Sequence, residues 1–531
     1  MNLLKSCRKA IFAAMLAAAV VPAGAVGGSP SLAVGIVIDG LDPQYIDMLA
    51  PYMGKGGFNL LTSRGVTVAN VDYGTNLDLA ATAAMLMTGA DPATTAVTGS
   101  TIYDPEGLRV VPAMHDAAAV GNFTDQTFSP RPLAVSTLAD ECRIAGGGVT
   151  RAYAVATDPS VAVILAGHSA NAALWLNVRT GNWATSTYYK DPPTTLTLRN
   201  RVAPLAVRLD TMQWAPVTAA ASYPGLPEHL THYKFRYLFP RGNDHRYDLF
   251  AASPLANAEV TDMALDLIGD LRLGQSDGVD MVNVAYSLRP YDYTRSGDNR
   301  YELLDSYLRL DRDIARLISA VESRLGAGNA VYYLAGTPAP TVARRDPEEW
   351  QVPYGEFSTK KARSLLNICL MAAFGNGEWV NAFHANQFYL NHKLIKDRGL
   401  DAKAVRAEAA ALLARMSGVD RVYTIDRILA GDDDHAAALR RGIHPDSAGD
   451  LYLEVDPGWE LVDDMVSPVS PDRTRYVRRY TPATAPVYIM APGVAPQTVT
   501  ATVDARRIAP TVARLVRIRR PNAAALPALV L

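Results

Sequence analysis

The sequence predicts an α/β fold built on a mainly parallel sheet, and three features carry that prediction. Leu32–Ile38 is a short run of Leu, Ala, Val, Gly and Ile that Asp39 and Gly40 end, which is typical of a strand buried on both faces. Leu77–Met87 is rich in Ala, Leu and Met and indicates a buried helix. Further along the chain, strand-like and helix-like segments keep alternating, as they do in parallel sheets covered by helices.

The first strand places Asp39 where chemistry is expected. In open α/β sheets, ligands bind at the edge formed by the carboxyl ends of the strands. Asp39 ends the first predicted strand and is therefore the first candidate site residue.

Composition indicates an ordinary globular protein. Of its 531 residues, 49% are hydrophobic and 20% are charged, which fits neither a disordered nor a fibrous chain. The formal net charge is −2, from 51 basic and 53 acidic residues. This balance gives no support for a nucleic-acid partner.

Residues 1–25 are predicted to be a secretory signal peptide. Lys5, Arg8 and Lys9 are basic, Ala10–Val21 is apolar, and residues 23–25 read Ala-Gly-Ala, the sequence of a cleavage signal. The apolar stretch is too short to span a bilayer comfortably. We therefore expect an exported protein, periplasmic or envelope-associated, with its folded domain at 26–531 and no transmembrane segment after signal cleavage.

The cysteines predict no metal site. Cys7 lies in the predicted signal peptide, and Cys142 and Cys369 lie far apart without a CxxC spacing. Two buried free thiols are favoured, and a bridge in an oxidising compartment is the alternative.

Helices and strands follow in alternation beyond the first unit. Glu302–Leu325 is an amphipathic helix because its apolar residues keep a three-or-four spacing. The other predicted helices are Val135–Ala145, Asn257–Leu271, Phe357–Phe374, Ala402–Met416 and Ile508–Leu515. The predicted strands are Val149–Ala156, Met281–Tyr286, Ala330–Ala335, Arg421–Thr424, Asp450–Val455 and Val487–Met490, with a hairpin at Asn177–Lys190. Loop-rich stretches predict cap insertions at about 170–245 and 345–448.

Six segments resemble the alkaline phosphatase superfamily, in the branch of type I phosphodiesterase/nucleotide pyrophosphatases and single-Thr-nucleophile bacterial phosphatases. They are residues 33–46, 54–66, 162–183, 305–318, 388–401 and 451–460. The resemblance implies a three-layer α/β/α core with a mainly parallel sheet. It also implies two zinc ions held by six Asp and His ligands, with a Thr nucleophile at a helix N-terminus. Such a metal pair activates the nucleophile and stabilises the leaving oxygen.

Only one residue of that implied site is present. Asp39 stands in the place of the first metal ligand. The nucleophile's place, ten residues before the Gly of Thr88-Gly89, is Leu79, which has no nucleophilic atom. The place of a phosphate-contacting Asn is Ser100.

The other implied places also hold different residues. Asp158 and Ser160 stand at the places of a Lys and an Arg. Pro290 and Thr294 stand at the places of one Asp–His pair, and residues 336–338 at those of another. Thr484 stands at the place of the last His. No His lies between His245 and His384 or after His444. Asp39 alone falls far short of the four ligands that zinc usually takes.

Three residues near these places have alternative interpretations. Thr82 is favoured as a small helix residue over a displaced nucleophile, because no base is apparent to activate its hydroxyl. Asp78 is favoured as a helix cap. His168 is favoured as a hydrogen-bonded packing residue over a substrate contact.

Polar and aromatic clusters are interpreted as structural. The runs 243–248 and 432–435 are favoured as structural and solvated segments, since neither has the spacing of a metal loop. Aromatic residues of the insertions are favoured as packing residues, with a carbohydrate- or partner-binding surface as the alternative. These are Trp175, Trp183, Tyr188, Tyr189, Trp214, Tyr233 and Tyr237.

The favoured hypothesis is a pseudoenzyme: an exported superfamily member that has lost the di-zinc site and acts as a binding or scaffold protein for an envelope protein or glycan. It has no catalytic residue and needs no cofactor, and Asp39 is a remnant metal ligand. The alternative is an active hydrolase of phosphate mono- or diesters with a relocated site, which would require zinc.

Overall fold

The computed structural model describes residues 29–223, 225–338, 353–456, 458–462 and 484–531. The predicted signal peptide with Cys7, and residues 345–352 of the second predicted insertion, lie outside the described residues.

The strands of the described residues include most of the predicted strands. They are β1 (Leu32–Asp39), β2 (Val66–Asp72), β3 (Thr101–Asp104), β4 (Arg109–Pro112), β5 (Gly121–Asn122), β6 (Ala152–Ala156), β7 (Ala172–Asn177), β8 (Asn182–Ser186), β9 (Gln213–Trp214), β10 (Tyr237–Leu238), β11 (Asp280–Ser287), β12 (Ala330–Gly336), β13 (Gly355–Ser358), β14 (Val380–His384), β15 (Gln387–Leu390), β16 (Val419–Thr424), β17 (Leu451–Val455), β18 (Trp459–Val462), β19 (Thr484–Met490), β20 (Gln497–Val499) and β21 (Val503–Asp504).

The helices follow the apolar periodicity of the sequence. They are α1 (Pro43–Leu49), α2 (Phe58–Arg64), α3 (Leu79–Thr88), α4 (Pro92–Thr95), α5 (Leu138–Ala145), α6 (Pro159–Ala166), α7 (Thr194–Val202), α8 (Leu205–Arg208), α9 (Arg246–Ala251), α10 (Pro254–Asp270), α11 (Arg300–Leu325), α12 (Thr359–Phe374), α13 (His392–Asp397), α14 (Ala402–Leu413), α15 (Ile425–Ala430), α16 (Asp434–Gly442) and α17 (Ile508–Leu515).

A large central sheet organises the fold. Within the described residues its 11 strands run in the order β20-β2-β19-β12-β1-β11-β6-β7-β8-β5, with β21 also beside β2. β1 lies between β11 and β12 and is parallel to both, and β6 and β7 continue in parallel beyond β11. β19 is antiparallel to both neighbours, as is β8. The predicted mainly parallel sheet is confirmed.

Helices cover both faces of this sheet because successive side chains of a strand point to opposite sides. On one face, the amide of Asn283 in β11 donates to the carbonyl of Leu165 in α6 (2.9 Å). On the other face, the hydroxyls of Tyr286 in β11 and Thr261 in α10 lie 2.9 Å apart. The three-layer arrangement follows from these contacts.

Gly35 lies at the centre of β1 because two side chains approach its backbone closely. A Cβ placed there would lie 2.2 Å from Asn283 Oδ1 and 2.4 Å from the hydroxyl oxygen of Tyr333. The Tyr333 hydroxyl donates to the same Asn283 oxygen (2.6 Å). A larger residue would therefore break this buried hydrogen bond.

Two of the resembling segments, 54–66 and 305–318, meet at Asp311 of α11. Its carboxylate accepts hydrogen bonds from the backbone N–H groups of Gly54 (2.9 Å) and Phe58 (2.8 Å). A Cβ on Gly57 would lie 2.2 Å from Asp311 Oδ1, so this position requires glycine. The start of α2 is thereby fixed to α11.

The first predicted insertion begins too early. β7 and β8 pair as the predicted hairpin but are strands of the central sheet. Their side chains are buried, because the sheet continues through them to its edge. The short elements between β8 and α10 follow this hairpin, and Trp214 of β9 donates from its indole N–H to Asp305 of α11 (2.7 Å).

The second predicted insertion ends too early. Residues between Phe357 and Val455 form a separate apolar cluster with the four-stranded sheet β14-β15-β17-β16. β17, predicted as a strand beyond the end of the insertion, belongs to this small sheet. Phe357, predicted to be helical, lies in β13, which pairs with the distant β18; the helix begins at Thr359.

Cys142 and Cys369 are free thiols. Cys142 is buried in α5 and donates to the carbonyl oxygen of Val279 (2.8 Å). Cys369 on α12 is only partly buried, which corrects the expectation that both thiols are buried.

Among the described residues, no helix has the length and apolar character needed to cross a membrane.

Candidate functional site

Asp39 ends β1 and is 6% exposed. The strands on both sides of β1 bring their ends to it. Leu288, just after β11, donates its N–H to the carbonyl of Asp39 (2.8 Å), and Thr337, just after β12, donates to that of Ile38 (2.8 Å). The next residue after Leu288, Arg289, and the side chain of Thr337 therefore flank the Asp39 carboxylate.

Both oxygens of Asp39 face hydrogen-bond donors. Arg289 Nε forms an ion pair with Oδ2. The Thr337 hydroxyl donates to Oδ1 (3.2 Å) and accepts from the N–H of Gly40 (3.2 Å). The neighbouring strands thus supply donors to this carboxylate.

Arg289 is paired with Asp39 at the surface of the site, with 59% of its side chain exposed. Although desolvation acts to lower it, the charges of Asp39, Asp78 and Asp292 raise the pKa of Arg289 above its ordinary value. The guanidinium is thus the permanent positive charge among several carboxylates.

Asp78 caps α3, as predicted. Its carboxylate accepts from the N–H of Ala80 (2.8 Å) and from the hydroxyl of Ser100 (2.8 Å). Leu79, at the implied place of the nucleophile, is the first residue of the helix and packs against the core. The helix N-terminus, which attracts anions, is therefore occupied by an internal carboxylate, and the implied phosphate contact at Ser100 is used to hold that carboxylate.

Asp158 lies near enough to Asp78 and Asp39 for their charges to act on it. It caps α6 by accepting from the N–H of Val161 (2.9 Å). Desolvation first, and then the charges of Asp78 and Asp39, raise the pKa of Asp158. A phosphate ester entering this region would meet three carboxylates, which disfavours its binding.

The residues present do not fit a pair of zinc ions. Within the parts of the chain that the structure describes, no group of three or more His, Cys, Asp or Glu side chains could hold a metal ion. Near the places of the two implied Asp–His pairs, the residues that contact Asp39 are Arg289, directly before Pro290, and Thr337. Thr294 donates to Glu302 (2.8 Å) and Thr484 to Asn70 (3.4 Å).

Thr82 is fully buried. Its hydroxyl lies 3.0 Å from the carbonyl oxygens of both Asp78 and Leu79, within its own helix. These contacts support the interpretation as a helix residue and leave no path for attack on a substrate.

His168 is held from both sides. Its Nδ1 lies 3.2 Å from Asp140 Oδ2, and its Nε2 lies 2.9 Å from the carbonyl oxygen of Leu133. Both partners are acceptors, so only the protonated ring satisfies both. The hydrogen bond that the ring donates to Asp140 raises the pKa of His168. The ring therefore links α5 to the loop after α6, in agreement with the packing interpretation.

The two polar runs form local contacts. His245 Nδ1 lies 3.4 Å from Asp248 Oδ2 at the surface. Asp433 caps α16 by accepting from the N–H of Ala436 (2.7 Å), and this hydrogen bond lowers the pKa of Asp433. Neither run forms a metal site among the described residues.

The aromatic side chains of the insertions lie mostly inside the protein. Trp175, Trp183, Tyr189, Trp214 and Tyr237 are buried, while Tyr188 and Tyr233 are partly buried against the core. The packing interpretation therefore accounts for them better than an exposed aromatic binding surface.

Arg289 is the site residue that the sequence patterns missed. It lies directly before Pro290, which was assigned to an absent ligand. A usable signal exists: Arg289 follows the buried strand 281–286 by only a few residues, and the carboxyl ends of parallel strands meet at one edge.

Comparisons with known proteins agree with this architecture. A family model described as type I phosphodiesterase / nucleotide pyrophosphatase matches residues 33–476. A "Calcium-transporting ATPase" of Myroides odoratus is 27% identical over 516 residues, covering 93% of each chain. Alkaline phosphatase PhoV of Synechococcus elongatus is 25% identical, covering 93% of this chain and 91% of its own.

A solved structure shares the fold. The crystal structure of wild-type alkaline phosphatase PafA superposes with a TM-score of 0.81 at 22% identity, covering 94% of this chain and 98% of that one. The superposition supports the predicted core architecture.

Proposed function

The chain belongs to the type I phosphodiesterase / nucleotide pyrophosphatase family of the alkaline phosphatase superfamily, and we propose that it is a member without metal-assisted ester hydrolysis. It acts instead as a binding or scaffold protein. The family consists of phosphoric ester hydrolases, so the proposal concerns a loss of chemistry on a retained fold.

The observation that carries the proposal is the pair of donors around Asp39. The Arg289 guanidinium and the Thr337 hydroxyl take both carboxylate oxygens. A guanidinium has no lone pair to offer a metal ion. Metal ligation at Asp39 would therefore first have to displace an ion pair and a hydrogen bond.

The start of α3 supports the same proposal. Leu79 offers no attacking oxygen there, and the Asp78 carboxylate occupies the helix N-terminus. A phosphoryl group would thus lack both a nucleophile and an open anion site.

Location and partner are parts of the proposal. The predicted signal peptide places the mature protein in the periplasm or envelope. There it would bind an envelope protein or a glycan, because such partners are available to an exported chain.

The direct test is an ester hydrolysis assay of the purified protein, residues 26–531, with zinc added. Phosphate mono- and diesters should be turned over no faster by the wild type than by Asp39→Ala. Robust wild-type turnover that Asp39→Ala abolishes would sink the proposal.

An active hydrolase with a relocated site is the second candidate. The likeness to proteins named alkaline phosphatase favours it. Turnover that survives Asp39→Ala and requires added zinc would support this candidate instead.

A further inference from the structure

The strands beside β1 are followed by hydrogen-bond donors, where the family resemblance implies metal ligands. After β11 and after β12 the resemblance implies Asp–His ligand pairs, which are electron-pair donors to a metal. The chain instead places Arg289 after β11 and Thr337 after β12, and both donate hydrogen bonds to Asp39.

We propose that Arg289 is a built-in counter-ion that holds the place beside Asp39 which a divalent cation would otherwise take. The site is then closed to metal by a side chain of the protein itself. This inference rests on the proposed loss of metal chemistry and names the residue responsible for it.

Burial makes a counter-ion necessary. Asp39 is 6% exposed, and a buried carboxylate without an opposite charge is strongly disfavoured. Thr337 supplies only a neutral hydrogen bond to one oxygen. Arg289 supplies the positive charge to the other oxygen and stays charged at every pH at which the protein folds.

The surrounding charges add to this requirement. Asp78 and Asp292 also act on Arg289 electrostatically. Removing the guanidinium would leave Asp39 and Asp78 without their shared cation. Such a site attracts any small cation more strongly than the wild type does.

The test is thermal unfolding with added Mn²⁺ or Zn²⁺ and, separately, with a chelator. The wild type should keep one Tm under all conditions. Arg289→Ala should unfold on the order of a few degrees lower, and added Mn²⁺ or Zn²⁺ should raise its Tm again. Arg289→Lys, which keeps a positive charge, should recover part of the loss without metal.

Arg295→Ala is the matched control. Arg295 lies in the same loop and is exposed, and its guanidinium is 5.8 Å from the ring centre of Tyr237. This variant loses the same charge without touching Asp39, so its Tm should not respond to metal.

A double variant keeps the inference testable if Arg289→Ala does not fold. Asp39→Asn/Arg289→Ala removes both charges, so it should be more stable than Arg289→Ala and should not respond to metal. A wild-type Tm for Arg289→Ala, or a double variant no more stable than Arg289→Ala, would overturn the inference. Ester hydrolysis by the wild type would instead overturn the proposed function, so the two failures are distinguishable.

Discussion

Asp39 ends β1 at a place where the family resemblance implies a metal ligand. Its carboxylate is bound to Arg289 and Thr337. The ion pair between Asp39 and Arg289 joins residues 250 positions apart in sequence. At the scale of single residues, the loss of chemistry that we propose therefore includes replacement of an external cation by an internal one.

Restoring the nucleophile should not restore activity. In Leu79→Thr a hydroxyl stands at the first position of α3, but no group of three or more His, Cys, Asp or Glu side chains among the described residues could hold a metal ion to activate it. We expect p-nitrophenyl phosphate hydrolysis by Leu79→Thr to equal that of the wild type and of Leu79→Ala, the matched control.

Turnover by Leu79→Thr above both of these proteins, in the presence of zinc, would show that the metal site can still form. The residue-scale account of the site would then be wrong.

At the scale of elements, α11 holds much of the scaffold that positions the site. Its Asp311 receives the backbone N–H groups of Gly54 and Phe58, and its Asp305 receives the indole of Trp214. A single helix thus ties the segment after β1 and the first insertion to the sheet.

Asp311→Ala should destabilise the protein because it leaves two backbone N–H groups without their acceptor. The expected loss is about 1–3 kcal/mol for the buried N–H of Phe58, with a smaller loss for the N–H of Gly54, which is only partly buried. Asp313→Ala is the control on the same helix, since Asp313 contacts the half-exposed Arg316 (3.0 Å). Urea unfolding measures both, and equal losses would contradict the assigned role of Asp311.

Asp313 should also contribute a defined pH dependence. Burial raises its pKa to about 6, so the folded state binds a proton more tightly than the unfolded state does. Its contribution to stability therefore falls as the pH rises from about 4 to about 6. Over this pH range the free energy of unfolding of the wild type should fall relative to that of Asp313→Ala. A difference between the two proteins that stays constant with pH would contradict this expectation.

The elements themselves were largely predictable because their signals are local. The apolar run Leu32–Ile38 predicts β1, and the spacing in Glu302–Leu325 predicts α11 to within two residues. Phe357 was misassigned because β13 is formed by pairing with β18, about a hundred residues away. Arg289 was missed for the same reason: its role depends on a strand neighbour that only the folded sheet provides.

At the scale of the whole molecule, the superfamily fold persists with a continuous apolar core. The central sheet is buried by helices on both faces, and a second apolar cluster packs the small sheet of the second insertion. This core supplies the burial that stabilises the fold. We therefore expect folding to need no metal ion.

The two thiols report on this architecture. Burial raises the pKa of Cys142 to about 12, whereas Cys369 lies partly exposed on α12. In a Cys7→Ser protein, a thiol reagent should modify Cys369 in the native state and Cys142 only after unfolding. Mass spectrometry of labelled peptides checks this, and native labelling of Cys142 or an intact bridge would contradict it.

The central claim is that this fold carries no metal centre at the end of β1. Elemental analysis of the protein, after incubation with zinc and removal of the unbound ion, tests it most directly. The account predicts no zinc that depends on Asp39, with equal content in the wild type and in Asp39→Ala. About two zinc ions per chain, as a two-metal site holds, lost in Asp39→Ala, would contradict it.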